Sequence, residues 1–264
     1  MYLFLSLGAI IMVIPFIWMI LTSLKTFGET TQIPPIILPH IPQWNNYVEV
    51  LKSFPFGHFY LNTIISTIFR TFGQLVFCSM AAYAFARIKF PGKNVLFIAL
   101  LAVLMVPYQI FLIPQYLIIQ KLKLLNTITA LILPGLFSAY GTFLLRQFFM
   151  TLPKELEEAA ILDGCNHFQI YYKIMLPLIR PALIALGIFV SIWSWNDLLW
   201  PLIINSSIDK LTLSAGLAFM QGQYYTDFAL LMAGSILAIW PMVALFIIFQ
   251  KYFIEGIALT GVKA

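Results

Sequence analysis

Apolar residues in this chain gather into six long runs: 3–24, 59–86, 95–119, 128–145, 182–204 and 228–253. Each is close to the roughly 20 residues that a helix needs to cross a hydrocarbon core about 30 Å thick. None shows the strict polar–apolar alternation of a half-buried strand. The pattern predicts an all-α membrane protein of six transmembrane helices, with both termini on the same side. Between the first two runs, residues 25–58 are polar and rich in proline (Pro34, Pro35, Pro39, Pro42, Pro55), which reads as an extended loop outside the membrane. The other long connection, 146–181, concentrates charge.

Composition agrees. Hydrophobic residues make up 61% of the chain and charged residues 9%, against about a quarter charged in soluble domains. The net charge of +5 matters first as a topology signal. With the N-terminus inside, nine basic residues fall on the inner side (Arg87, Lys89, Lys93, Arg146, Lys154, Lys173, Arg180, Lys251 and Lys263). Five fall outside (Lys25, Lys52, Lys121, Lys123 and Lys210), and Arg70 lies within a span. That excess places both termini and the 146–181 connection in the cytoplasm. No basic residue precedes the first apolar run, so it reads as an uncleaved span rather than a signal peptide. Cys78 and Cys165 stand in dissimilar surroundings and read as free thiols.

Several of the runs contain prolines, among them Pro107 and Pro114, Pro134, Pro201 and Pro241. Each removes a donor and frees the carbonyl four residues earlier, as that of Asp197 above Pro201. Two readings stay open: kinks for packing, or a bundle bent around a pathway whose freed carbonyls face protein or water.

The charged connection contains a short amphipathic helix. Pro153 suits a first helical turn. Glu155, Glu157 and Glu158 suit the positive end of the helix dipole, and Gly164 suits a left-handed cap. Leu156, Ala159, Ala160 and Ile161 supply an apolar face. A second helix is expected from Asn166 to Pro177, leading back into the membrane. The abundance of acid argues against a helix lying on lipid, and the paired alanines between acids leave a low surface for another protein to cover.

These residues carry a resemblance. Glu158-Ala159-Ala160, three residues, Gly164, nine residues, then Ile174-Met175-Leu176-Pro177 looks like the signature loop of binding-protein-dependent ABC importer permeases. The likeness runs from about Phe59 to the C-terminus. It takes in TFLLRQFF over 142–149, WSWNDLLWP over 193–201 and KYFIEG over 251–256. These look like the carbohydrate branch, similar to the second permeases of maltose and glycerol-3-phosphate importers. The resemblance implies three regions: residues 1–58, a first span and external loop; 59–254, a type I permease core with a cytoplasmic coupling loop at 147–177; and 255–264, a cytoplasmic tail. It implies a homologous second permease, two ATPase subunits holding ATP and magnesium, and an extracellular or periplasmic solute-binding protein. The setting is the cytoplasmic membrane of a bacterium or archaeon. Leu156, Glu158, Ala159, Ala160 and Gly164 would form the ATPase-coupling core. The family's cytoplasmic leader is missing here, which leaves open a start upstream of Met1.

The chain carries no phosphate-loop motif; Gly92-Lys93-Asn94 does not fit one. ATP hydrolysis is therefore expected on another chain, and this chain is not expected to be an enzyme. His40, His58 and His167 are scattered, so no metal site is expected, and nothing points to nucleic acid. Arg70 and Asp197 are the two charges within spans and are expected to pair, because a charge facing lipid is costly. Tyr108, Gln109, Tyr140, Trp193 and Asn196 join them as pathway candidates, since aromatic faces and amides suit sugars. The tryptophans Trp193, Trp195 and Trp200 also fit an interfacial belt. Beside an importer of a sugar or oligosaccharide, the alternatives are an importer of the same class for glycerol-3-phosphate or another polar solute, and an ion-coupled transporter, for which Asp197 alone makes a poor relay. Clustered acids beside alanines suit docking better than intramembrane catalysis.

Overall fold

The computed structural model describes residues 2–222 and 225–261, with side chains described for 4, 6–222 and 225–250. All regular structure among them is helical: α1 (Tyr2–Ser23), α2 (Phe27–Thr31), α3 (Asn45–Ser53), α4 (Phe56–Arg87), α5 (Lys93–Ala102), α6 (Leu112–Lys121), α7 (Ile128–Ile132), α8 (Ala139–Thr151), α9 (Glu155–Leu162), α10 (His167–Gln169), α11 (Leu176–Leu178), α12 (Arg180–Trp195), α13 (Leu199–Ile204), α14 (Leu213–Phe219) and α15 (Phe228–Gly261). Three helices are long and apolar enough to cross a membrane unbroken: α1, α4 and α15. Three bent pairs complete six candidate spans: Lys93–Met105 with Tyr108–Lys121, Ile128–Gly135 with Ala139–Thr151, and His167–Leu178 with Arg180–Trp195. Of the 251–256 motif only the helical backbone is described, and Lys263 and the end of the tail lie outside the described residues.

The bends are sharper than kinks. The third span turns by 102°, because Pro107 disfavours helical geometry at Val106 and both residues are extended. The fourth bends by 43° after Pro134, and Ser138 restarts the helix by accepting from the Gly141 amide at 3.2 Å. The fifth bends by 78°, from the 167–178 segment into α12. The expectation of one helix over 182–204 is corrected: α12 stops at Trp195, where the Asn196 amide folds back onto the Ile192 carbonyl at 2.8 Å. Pro201 therefore does not kink a continuous helix. It stands in the first turn of α13, where no donor is needed.

The chain divides into two units, Met1–Thr63 with Ser206–Leu245, and Ile64–Asn205 with Phe246–Ala264. In the first, side-chain bonds organise the loop after α1. Asn46 donates to the Ser23 and Lys25 carbonyls at 2.8 and 2.9 Å, and the Lys25 ammonium donates to the Ile36 carbonyl. Asn62 holds the Asp209 and Leu211 carbonyls, and the Thr63 hydroxyl accepts the Leu213 amide at the start of α14. At Gly216 a Cβ would stand 2.4 Å from the ring of buried Phe59, so α14 lies directly on that ring.

Glu29 is the clasp of this loop. Its carboxylate accepts from the Thr26 amide at 2.8 Å and from the His40 amide at 2.9 Å, while Thr26 caps α2. The bond from the Thr26 backbone, then that from His40, holds the carboxyl below its usual value of 4.5. A lowered folded pKa means the clasp is intact above that value and is lost as pH falls below it. Amide exchange, referenced to intrinsic rates, should therefore show His40 and Thr26 losing protection below pH 4.5, and Glu29→Ala should lack that protection at every pH.

Candidate functional site

In the second unit, the break between α7 and α8 leaves carbonyls that no helical amide reaches. Three side chains receive them. Arg70 on α4 donates from Nε to the Leu131 carbonyl at 2.7 Å. One turn further, Gln74 donates to the Gly135 carbonyl at 2.9 Å. From α13, Trp200 donates to the Ala130 carbonyl at 2.9 Å. Arg70, Gln74 and Trp200 are all buried. An unpaired carbonyl at membrane depth costs several kcal/mol, roughly, so these donors are what allow the span to break.

The expected Arg70–Asp197 pair forms. The guanidinium Nη1 stands 2.8 Å from the Asp197 carboxylate, with side chains 3% and 7% exposed. The Trp193 ring lies 5.5 Å from the same guanidinium. Glycine makes room for this crossing: a Cβ on Gly135 would sit 2.8 Å from the Arg70 side chain, and one on Gly73 would sit 2.5 Å from Leu136.

Beside the break lies a cavity of about 660 Å³, whose polar lining is Gln74, Tyr108, Gln115, Ser138, Tyr140 and Trp193. Tyr108 meets Trp193 edge-on at 6.3 Å. The buried Oε1 of Gln115 has no hydrogen-bond partner. No charged side chain among the described residues lines this cavity. Of the pathway candidates, Tyr108, Tyr140 and Trp193 meet here. Arg70 and Asp197 stand behind the wall as a neutral pair, Asn196 caps α12, and Gln109 is exposed away from the cavity. Gln74 and Gln115 carry no signal within an apolar run. The belt reading is corrected for Trp195 and Trp200, which are 7% and 0% exposed.

The second candidate region is the hairpin of α9. The helix starts at Glu155, so Pro153 precedes it rather than occupying its first turn. Gly164 has φ +79°, and the Cys165 amide returns to the Ala160 carbonyl at 2.9 Å, which closes the helix as expected. Asn166 then caps the next helix in a reciprocal box with Gln169. That helix widens to a π-type turn over Ile170–Met175 before α11. The two alanines part company. Ala160 is buried with Tyr83, Phe149, Tyr171 and Met175, whereas Leu156, Glu158, Ala159 and Ile161 face outward.

Removing one member of the Arg70–Asp197 pair should cost about 3–5 kcal/mol, because the survivor stays buried. Thermal unfolding of detergent-purified protein should show the Arg70→Met/Asp197→Leu double variant losing far less stability than the sum of the two single losses. Strictly additive losses would show that the two groups do not depend on each other.

The fold and motif correspond to known proteins. The family described as binding-protein-dependent transport system inner membrane component matches residues 74–258. The chain is 38% identical over 258 residues to the arabinooligosaccharides transport system permease protein AraQ of Halalkalibacterium halodurans, covering 97% of this chain and 92% of that one. It is 32% identical over 261 residues to the sn-glycerol-3-phosphate transport system permease protein UgpE of Yersinia enterocolitica, covering 96% and 93%. Among solved structures, a chain of a bacterial ABC transporter involved in the import of the acidic polysaccharide alginate superposes with a TM-score of 0.84 at 25% identity, over 96% of this chain and 94% of that one. The chain belongs to the family of inner membrane components of binding-protein-dependent transport systems.

Proposed function

We propose that this chain is one permease of an ATP-driven importer of a neutral sugar or oligosaccharide. It works with a homologous second permease, two ATPase subunits that hold ATP and magnesium, and an external solute-binding protein. The observation that carries the substrate class is the uncharged cavity wall. Aromatic edges and neutral amides suit the apolar faces and hydroxyls of a sugar ring. Glycerol-3-phosphate, the solute named for one relative, would enter without a counter-charge, since Arg70 is already paired with Asp197. Two relatives are named for neutral solutes of this class, arabinooligosaccharides and diacetylchitobiose.

The exposed face of α9, with Leu156, Glu158 and Ala159, docks on the ATPase from the cytoplasmic side, where the basic residues place it. Gly164 shapes the turn behind that face, and Ala160 anchors the helix from within. The chain itself contributes no ATPase site; its work is to bind, orient and conduct.

Co-purification with an ATPase pair, followed by uptake across a panel of arabinose, xylose and glucose oligosaccharides and glycerol-3-phosphate, tests this reading. ATP-dependent uptake of a neutral oligosaccharide is expected; sole uptake of the phosphate would reject the substrate class. Ala159→Trp should abolish uptake while the protein still inserts in the membrane, because the indole blocks close docking. Gly164→Val should weaken uptake through backbone strain alone, since nothing lies within 4 Å of a Cβ at that position.

A further inference from the structure

We infer that Arg87 is the positioning residue that gears α9 to the spans α4 and α8, through its ion pair with Glu157. The inference rests on the proposed docking of α9 on an ATPase. Arg87 is the last residue of α4, and its guanidinium reaches two other elements at once, α8 and α9. Nε and Nη2 donate to the Phe149 carbonyl at 3.1 and 2.5 Å, and Nη2 also donates to the Leu152 carbonyl, at the end of α8. Nη1 stands 3.7 Å from the Glu157 carboxylate on α9, with side chains 6% and 16% exposed. Glu157 thus turns inward, away from the outward face of Leu156, Glu158 and Ala159.

The neighbouring helix returns the exchange. Arg146 of α8 donates from Nε to the Phe85 carbonyl near the end of α4 at 3.1 Å, and its guanidinium lies 4.1 Å from the Phe97 ring. Lys93 takes the Ala86 and Ile88 carbonyls. Each of α4 and α8 therefore closes the other's final turn with an arginine, as cations at helix C-termini should. These two helix ends form one frame, and Glu157 is the carboxylate that fixes α9 to it. Apolar contact at Ala160 holds α9 close but sets no direction, whereas a fork of donors on fixed carbonyls does. A push on α9 then reaches both spans without passing through residues 152–154.

The test uses the assembled importer, with its binding protein, in proteoliposomes, and the radiolabelled neutral oligosaccharide found in the uptake panel. Solute moved per ATP hydrolysed is compared for Glu157→Gln, Arg87→Lys and the double variant Arg87→Gln/Glu157→Gln. Glu157→Gln keeps the shape and so guards against loss by misfolding. The expected result is normal assembly, ATP hydrolysis within about twofold, and a fall in solute per ATP on the order of tenfold, no larger in the double variant. A wild-type ratio in both single variants overturns the inference. So does a parallel fall of hydrolysis and transport with the amount of complex, which would mark a purely structural role. Wild-type uptake without ATP instead rejects the proposed function, and the inference falls with it.

Discussion

A span can break inside a membrane only where protein groups or a water-filled cavity receive its freed backbone. At the end of α7 that condition is met by three buried side chains. Arg70, Gln74 and Trp200 take the carbonyls of Leu131, Gly135 and Ala130 from two different helices. Arg70 is held for the task by Asp197, and the glycines at 73 and 135 let the backbones come close enough for it. The broken span and the cavity beside it are one arrangement: the same interruption that frees the carbonyls opens the space lined by Tyr108, Ser138, Tyr140 and Trp193.

A different polar arrangement governs the other end of these helices. There the arginines of α4 and α8 are exchanged, each on the other's carbonyls, and α9 is tied to the result. The Gly164 turn and the Asn166 cap then send the chain back through α10 to α12. The outward face of α9 stands clear of the core because its inward face is turned to it, through Ala160 in the core and Glu157 on Arg87.

Much of this was legible in the sequence. The number of candidate spans follows from run length, and the α9 turn follows from Gly164 and Asn166, whose side chains or lack of one determine local backbone geometry. The Arg70–Asp197 pair follows from the cost of leaving either charge in lipid. What escaped depends on distant partners. Pro107 announces an interruption, but only the packing of the two halves makes it a turn of 102° rather than a kink. Trp200 looks like a belt residue until the Ala130 carbonyl appears beside its indole nitrogen. Arg87 and Arg146 count in the sequence as topology charges, and only their distant carbonyl partners make them caps. The split of Ala159 from Ala160 depends on which side of α9 meets Phe149 and Tyr171, and no periodicity over eight residues fixes that.

The uncharged cavity wall has a consequence for the cell as well as for the solute. On the proposed reading this space opens in turn to either side of a membrane that stores energy as a voltage. An ion entering it would lose its hydration shell and find no opposite charge in return, since the nearby guanidinium and carboxylate neutralise each other behind the wall. A neutral solute exchanges water for amide and hydroxyl partners at little electrostatic cost. On that reading such a wall is an insulator to current while it admits cargo, so that an importer built on it can cycle without draining the gradient that other transporters use.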